Sequence, residues 1–209
     1  MKTVLQILLT IAIFYLGYLC YDSIKRPIDF QNEYNKRKAK VIERLEEIRN
    51  VEVAYKSVYK KYTGSFDTLL NFLRQDSLPL IKKIGRLTDS MLEAGMTESK
   101  ALALGIIKRD TIRISAKDSL FKENYAIDSL PYVPYSGGVK FELAAGTVTT
   151  GSGVKVHVFE CKTPNDVFLK GLDKQEIINL NDKAIKLERY PGLKVGSLEE
   201  ANNNAGNWE

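Results

Sequence analysis

His157 is the only histidine of the chain, so any acid–base chemistry or metal ligation by imidazole has to run through it. In "VKVHVFECK" it stands four residues before Cys161, the nearby thiol with which it could form a nucleophilic pair. On one extended strand those positions are about 13 Å apart, too far for proton transfer. His157 also alternates out of phase with Val154, Val156 and Val158, which puts it on the opposite sheet face. No His or Cys partner stands at metal-ligand spacing, and a solvent-facing polar histidine is the reading. The glycine-rich stretches "YSGG" and "GTVTTGSG" match neither a phosphate-binding G-x-x-x-x-G-K-[ST] loop nor a G-x-G-x-x-G turn, and read as hairpin turns. Carboxylates are numerous, as on any solvated surface, and no pair is set apart by its surroundings. These residues predict no catalytic group, no cofactor and no metal site.

Contact chemistry is better represented. Tyr125, Tyr132 and Tyr135 surround Pro131 and Pro134, a composition that either caps the edge of a core or forms a groove for a partner. Further upstream, Tyr34, Val41, Leu45, Ile48, Tyr55, Tyr59 and Tyr62 recur in steps of three, four or seven, the period of one helix face. Lys38 and Glu52 interrupt that seam, which makes it a poor independent coiled coil. The face then packs on the protein's own domain or, through its N-terminal half, on a second copy. The candidate protein-binding residues are therefore Tyr132, Tyr135, Leu45, Ile48 and Tyr55.

These groups must be positioned by a chain of two characters. "TVLQILLTIAIFYLGYLCY" carries no formal charge over about 19 residues, enough for a helix rising about 1.5 Å per residue to cross most of a 30 Å hydrocarbon core. Tyr15, Tyr18 and Tyr21 gather at its charged end, as aromatic residues do at a membrane interface. A cleaved signal would need small residues one and three before the cut, and a lipoprotein signal a small residue before the cysteine. "YLG", "YLC" and Leu19 before Cys20 supply neither, so an uncleaved anchor over residues 1–22 is expected. With Cys20 in that anchor, a disulfide to Cys161 is excluded, and the two cysteines do not identify a redox compartment.

The chain has a formal net charge of +5, much of it contributed by Lys25, Arg26, Lys36, Arg37, Lys38 and Lys40 just after the anchor. That placement suits anionic lipid headgroups. Elsewhere the positive residues are interleaved with acids and no recognition motif accompanies them, so no nucleic-acid partner is expected. Counted literally, this asymmetry keeps the following domain in the cytoplasm. A short apolar segment preceded by Lys2 is also a common bacterial export pattern, and an extracytoplasmic domain on the cytoplasmic (inner) membrane is the expectation adopted.

Pro27 should end or kink the anchor, followed by a helical stalk over 23–62 that is partly packed on the domain and stopped by Gly64. "SFDTLLNFLRQD" reads as a helix capped by Ser65, "LPLIKKIG" as a strand ended by Gly85, and "TESKALALGII" as a helix from Thr97 to about Gly105. From Thr111 the period becomes two: "TIRIS", "VKFEL" and "VKVHVFE" are strands, the last two forming a hairpin across "AAGTVTTGSG", with Cys161 at a strand end. Asp173 and Glu176 resemble a capping box before "IINLNDKAIKLER", which Pro191 and Gly192 terminate. The fold class is α+β: an N-terminal transmembrane helix, a long amphipathic helix, and a small antiparallel sheet with short helices. One soluble domain over 63–195 and a polar tail over 196–209 complete the division.

This order of elements, with "AYKSVYKKYTGSFDTLLNFL" at its centre, resembles the type IV pilin and pseudopilin family over residues 1–75. The resemblance implies an apolar helix continuing into an amphipathic one, then a turn, a short helix and a small sheet. The chain departs from the family's processing pattern: no charged leader ending in Gly precedes the run, and no Glu lies early within it. The expected function is a non-enzymatic, single-pass membrane-anchored envelope protein acting as a protein-binding or assembly component. Its partners would be the lipid bilayer and other envelope proteins, or a second copy through the stalk. An extracytoplasmic sensory or ligand-binding module is the alternative, and an enzyme of unknown class the third reading.

Overall fold

The apolar run and the amphipathic stretch form one helix in the computed structural model, α1 (Lys2–Tyr59). The structure describes residues 2–93 and 95–209, so the anchor expected over 1–22 is described from Lys2 onward and Met1 lies outside the described residues. The break expected at Pro27 does not occur: the proline lies inside the helix. Its missing N–H leaves the Ser23 carbonyl without its helical donor, and both residues are exposed, where solvent or headgroups can serve that oxygen. An Arg26–Asp22 ion pair of 2.6 Å one turn apart spans the same segment.

The helix also stops earlier than Gly64. Lys60 takes a left-handed φ of 62°, and its N–H closes the last turn on the Lys56 carbonyl at 2.8 Å. Two side-chain bonds draw the chain back past this point. Glu52 Oε2 accepts the Thr63 N–H at 3.1 Å, and the Tyr59 hydroxyl donates to Asp76 at 2.8 Å.

The chain divides into two compact units: a split unit built from residues up to Arg49 together with Leu130–Glu209, and an inserted unit, Asn50–Ser129. The α+β region expected as one body over 63–195 is distributed over both. In the inserted unit, α2 (Phe66–Gln75) buries Leu69, Phe72 and Leu73. The rings of Tyr55 and Phe72 meet edge to face at 5.4 Å between centroids. Ser65 stands at the N-cap of α2 as expected but makes no side-chain capping bond.

Strand β1 (Ser77–Ile84) pairs antiparallel with β2 (Lys108–Ser115), from Ser77 opposite Ser115 to Ile84 opposite Lys108. Short helices α3 (Asp89–Glu93) and α4 (Glu98–Ala103) lie between them in sequence, and α5 (Ala116–Leu120) follows β2. Thr97 caps α4 by accepting the Lys100 N–H. A 3-10 turn at Ile127–Ser129 ends the unit.

In the split unit, β3 (Glu142–Thr149), β4 (Lys155–Pro164) and β5 (Gly192–Gly196) form an antiparallel sheet in the order β3-β4-β5. Here the sequence reading is shifted: Ala144–Thr149, expected in the connection, belong to β3. Only the stretch from Thr150 turns, with Gly153 at φ 79° and its N–H on the Thr150 carbonyl at 2.8 Å. Cys161 is correspondingly interior to β4, buried opposite Val195. Helices α6 (Asn165–Phe168) and α7 (Lys174–Lys186) connect β4 to β5, with Asp173 accepting the Gln175 and Glu176 N–H groups at the start of α7.

The residues read as a polar tail run back along β5. Gly196 N–H donates to the Ala205 carbonyl at 3.0 Å and Asn207 N–H to the Lys194 carbonyl at 3.0 Å. The Asn207 side chain accepts the Lys194 N–H at 3.1 Å. At the end of this segment the Glu209 carboxylate meets Arg49 of α1 at 2.6 Å.

Candidate interaction surface

Of the tyrosine set, Tyr132 and Tyr135 lie in a loop of the split unit, closed by several hydrogen bonds, whereas Tyr125 lies in the inserted unit, stacked on Phe121. Val133 N–H donates to the Val139 carbonyl at 2.8 Å and Phe141 N–H to the Pro131 carbonyl at 2.9 Å. Inside that narrow loop the buried Ser136 hydroxyl donates to the Val133 carbonyl at 2.7 Å and accepts the Val139 N–H at 2.9 Å. Leu130, Val133 and Phe141 are buried beneath it, while Tyr132 and Tyr135 stay 41% and 44% exposed. Tyr135 is held in the left-handed region at φ 64°, an uncommon state for a bulky residue that the surrounding bonds must sustain.

Each exposed ring has a cation beside it. The Arg37 guanidinium lies 5.1 Å from the Tyr135 ring centre, and Lys140 lies 5.7 Å from that of Tyr132. Arg37 is itself fixed: it pairs with Glu33 at 2.9 Å and donates to the carbonyls of Phe168 at 3.1 Å and Lys170 at 3.0 Å. The hydrogen bond from Arg37 holds the Glu33 carboxyl below the usual carboxylate range. Two half-exposed aromatic rings on a preformed loop offer contact area at little ordering cost, which suits a protein partner better than a reaction.

The other candidate contact residues lie elsewhere. Leu45 and Ile48 are fully buried in the split unit, as is Val41, and Tyr55 is buried in the inserted unit. Leu45 and Ile48 reach a second copy only if the chain first uncovers them. Along the rest of the seam Tyr62 is buried, whereas Tyr59 is exposed. Glu52, which interrupts it, is fully buried and has no cationic partner among the described residues. Its Oε1 has no hydrogen bond among the described residues, and burial pushes its pKa up to about 8.

The basic cluster after the apolar run is largely neutralised along its own helix. Arg26 pairs with Asp22, Lys36 and Arg37 with Glu33, and Lys40 with Glu43. Lys25 and Lys38 lie over the rings of Tyr21 and Tyr34. From Ile7 to Tyr21, by contrast, the large apolar side chains of α1 are exposed. The helix is long and apolar enough to cross a membrane, which makes it compatible with a membrane span or signal anchor.

His157 is exposed on β4, and its Nδ1 is 3.3 Å from the Thr147 hydroxyl on the neighbouring strand. Cys161 is buried, Cys20 is exposed, and no disulfide joins them. Two features were not anticipated from the residues. A cleft of about 340 Å³ lies beside α7 between Asp166, Lys170, Leu172, Ile177 and Ile178, and no sequence motif marks it beyond the isoleucine pair at 177–178. The second is the outer edge of β3. Compared with known proteins, the chain matches no protein-family model, no curated protein and no solved structure.

Proposed function

We propose that this chain is a non-enzymatic, single-pass envelope protein, anchored in the cytoplasmic (inner) membrane by α1, that presents an extracytoplasmic domain for binding other proteins. One observation carries the reading: an uncovered apolar helix runs without interruption into a folded unit whose loop holds two half-exposed tyrosines, each with a cation beside its ring. Exposed apolar residues over three or more turns have no counterpart on the surface of a water-soluble monomer, and a bilayer removes that cost. The tyrosine loop then supplies the contact surface.

The experiment combines fractionation with site-specific crosslinking. The chain stays with membranes through high-salt and alkaline washing, and a photo-crosslinking residue at Tyr132 or Tyr135 captures envelope proteins that the same residue at exposed Lys155 does not. Release by alkali, or equal capture at all three positions, overturns the proposal. The alternative, a ligand-binding module, draws on the α7 cleft. A small molecule that raises the melting temperature of the chain without any protein partner would favour it.

A further inference from the structure

The two edges of the β3-β4-β5 sheet are treated differently. At the β5 edge, the outward groups of Lys194 and Gly196 are covered by residues 205–207. At the β3 edge no strand pairs among the described residues. Natural sheets guard such edges with charges, prolines or bulges. From Leu143 to Val154 there is no charged residue and no proline, and Ala144–Thr147 are all exposed.

The direction of the unpaired groups follows from the register. Thr150 N–H donates to the Val154 carbonyl at the hairpin end, so that pair is a hydrogen-bonded one. Opposed pairs alternate along an antiparallel ladder. Val148, Gly146, Ala144 and Glu142 therefore bond to β4, whereas Leu143, Ala145, Thr147 and Thr149 aim their N–H and C=O groups at the open edge.

We propose that two copies of this chain join edge to edge through β3, antiparallel, about a two-fold axis at Gly146. In that register Leu143 faces Thr149 and Ala145 faces Thr147, each twice by symmetry, so the four outward residues satisfy one another completely. Gly146 meets its own counterpart in a non-bonded pair, where backbones approach to about 4.5 Å and a residue without a side chain fits best. Ala144 faces Val148, small against large. No like charges are opposed, since Glu142 faces Thr150. This self-complementarity in shape, along an edge with no charge from Leu143 to Val154, selects a second copy over an unrelated strand.

The test uses the full chain in micelles, with Cys20→Ser removing the exposed native thiol. Gly146→Cys is sterically permitted, since its Cβ would meet only Leu198 Cδ2 at 3.6 Å. The symmetry places its two thiols at a separation a disulfide spans. Thr147→Cys is equally exposed, yet its counterpart is about 9 Å away. On mild oxidation Gly146→Cys should give at least tenfold more covalent dimer than Thr147→Cys. Adding Ala145→Pro, which deletes an outward N–H and spares the β4 ladder, should abolish it with the circular dichroism spectrum unchanged.

Unmodified chain supplies the second readout. As protein per micelle rises, amide exchange should slow at residues 143, 145, 147 and 149 and stay constant at 144, 146 and 148. Equal crosslinking at 146 and 147, dimer that survives Ala145→Pro, or odd-numbered amides that exchange at a rate independent of protein concentration would each overturn the pairing.

Discussion

Replacing Glu52 with glutamine should remove most of the pH dependence of stability near neutrality. The carboxyl is fully buried, one oxygen accepts only the Thr63 N–H, and the other has no partner among the described residues. Its pKa is raised from 4.5 to about 8, chiefly by burial. An acid whose folded pKa exceeds its unfolded one binds more protons when folded. Its contribution is therefore intact below about pH 4.5 and is lost as pH rises towards 8. The slope is about 1.4 kcal/mol per pH unit, so wild-type stability should fall by roughly 3 kcal/mol between pH 4 and pH 7 from this group alone. Glutamine keeps an acceptor for Thr63 but buries an unpaired amide, at a cost of about 1–3 kcal/mol that does not vary with pH. Urea unfolding of the full chain in micelles, followed by far-UV circular dichroism from pH 4 to 8, reads the difference. Exchange of the Thr63 amide reports the local event. A wild-type midpoint that is flat across this range, or an equal slope in Glu52→Gln, would refute the reasoning.

Two further substitutions test the packing. Leu45 is fully buried, so Leu45→Ala should destabilise the chain by about 2–5 kcal/mol in the same urea assay; an unchanged midpoint would mean that this face is not packed within the chain. Gly196 sits at φ 73° and an added Cβ would collide with the Phe159 carbonyl oxygen. Gly196→Ala should therefore lower the melting temperature more than Gly151→Ala, where nothing lies within 4 Å.

The helical parts of the fold were the most legible. The three-four-seven spacing through Val41, Leu45 and Ile48 marks the buried face of α1, and Thr97 and Asp173 announce helix starts that their side chains do cap. The sheet was less so. Ala144, Ala145 and Gly146 have weak strand preference, and their extended state depends on pairing with Glu160, Phe159 and Val158, a long-range cause that local pattern does not carry. The edge cover by Asn207 fails for the same reason: an asparagine-rich segment reads as a turn until β5 stands beside it. Of the contact surface, Tyr132 and Tyr135 were identifiable from their prolines. The cation beside Tyr135 is Arg37, about one hundred positions away, and only the fold brings the two together.

The division of the chain also sets an order of events during synthesis. The inserted unit, Asn50–Ser129, is complete in sequence before any residue after Leu130 exists. At about 5–20 residues per second, the roughly 80 residues of that unit take several seconds to make. At the end of that interval Val41, Leu45 and Ile48 have been made, while Phe168, Lys170 and the segment that meets Arg49 have not. The nascent protein then holds every residue of the inserted unit but only the first part of the split one, to which the face of Val41, Leu45 and Ile48 belongs. A ribosome pause within Leu130–Phe168 would lengthen the exposure of that face, so synonymous codon changes there should alter yield without altering any side chain.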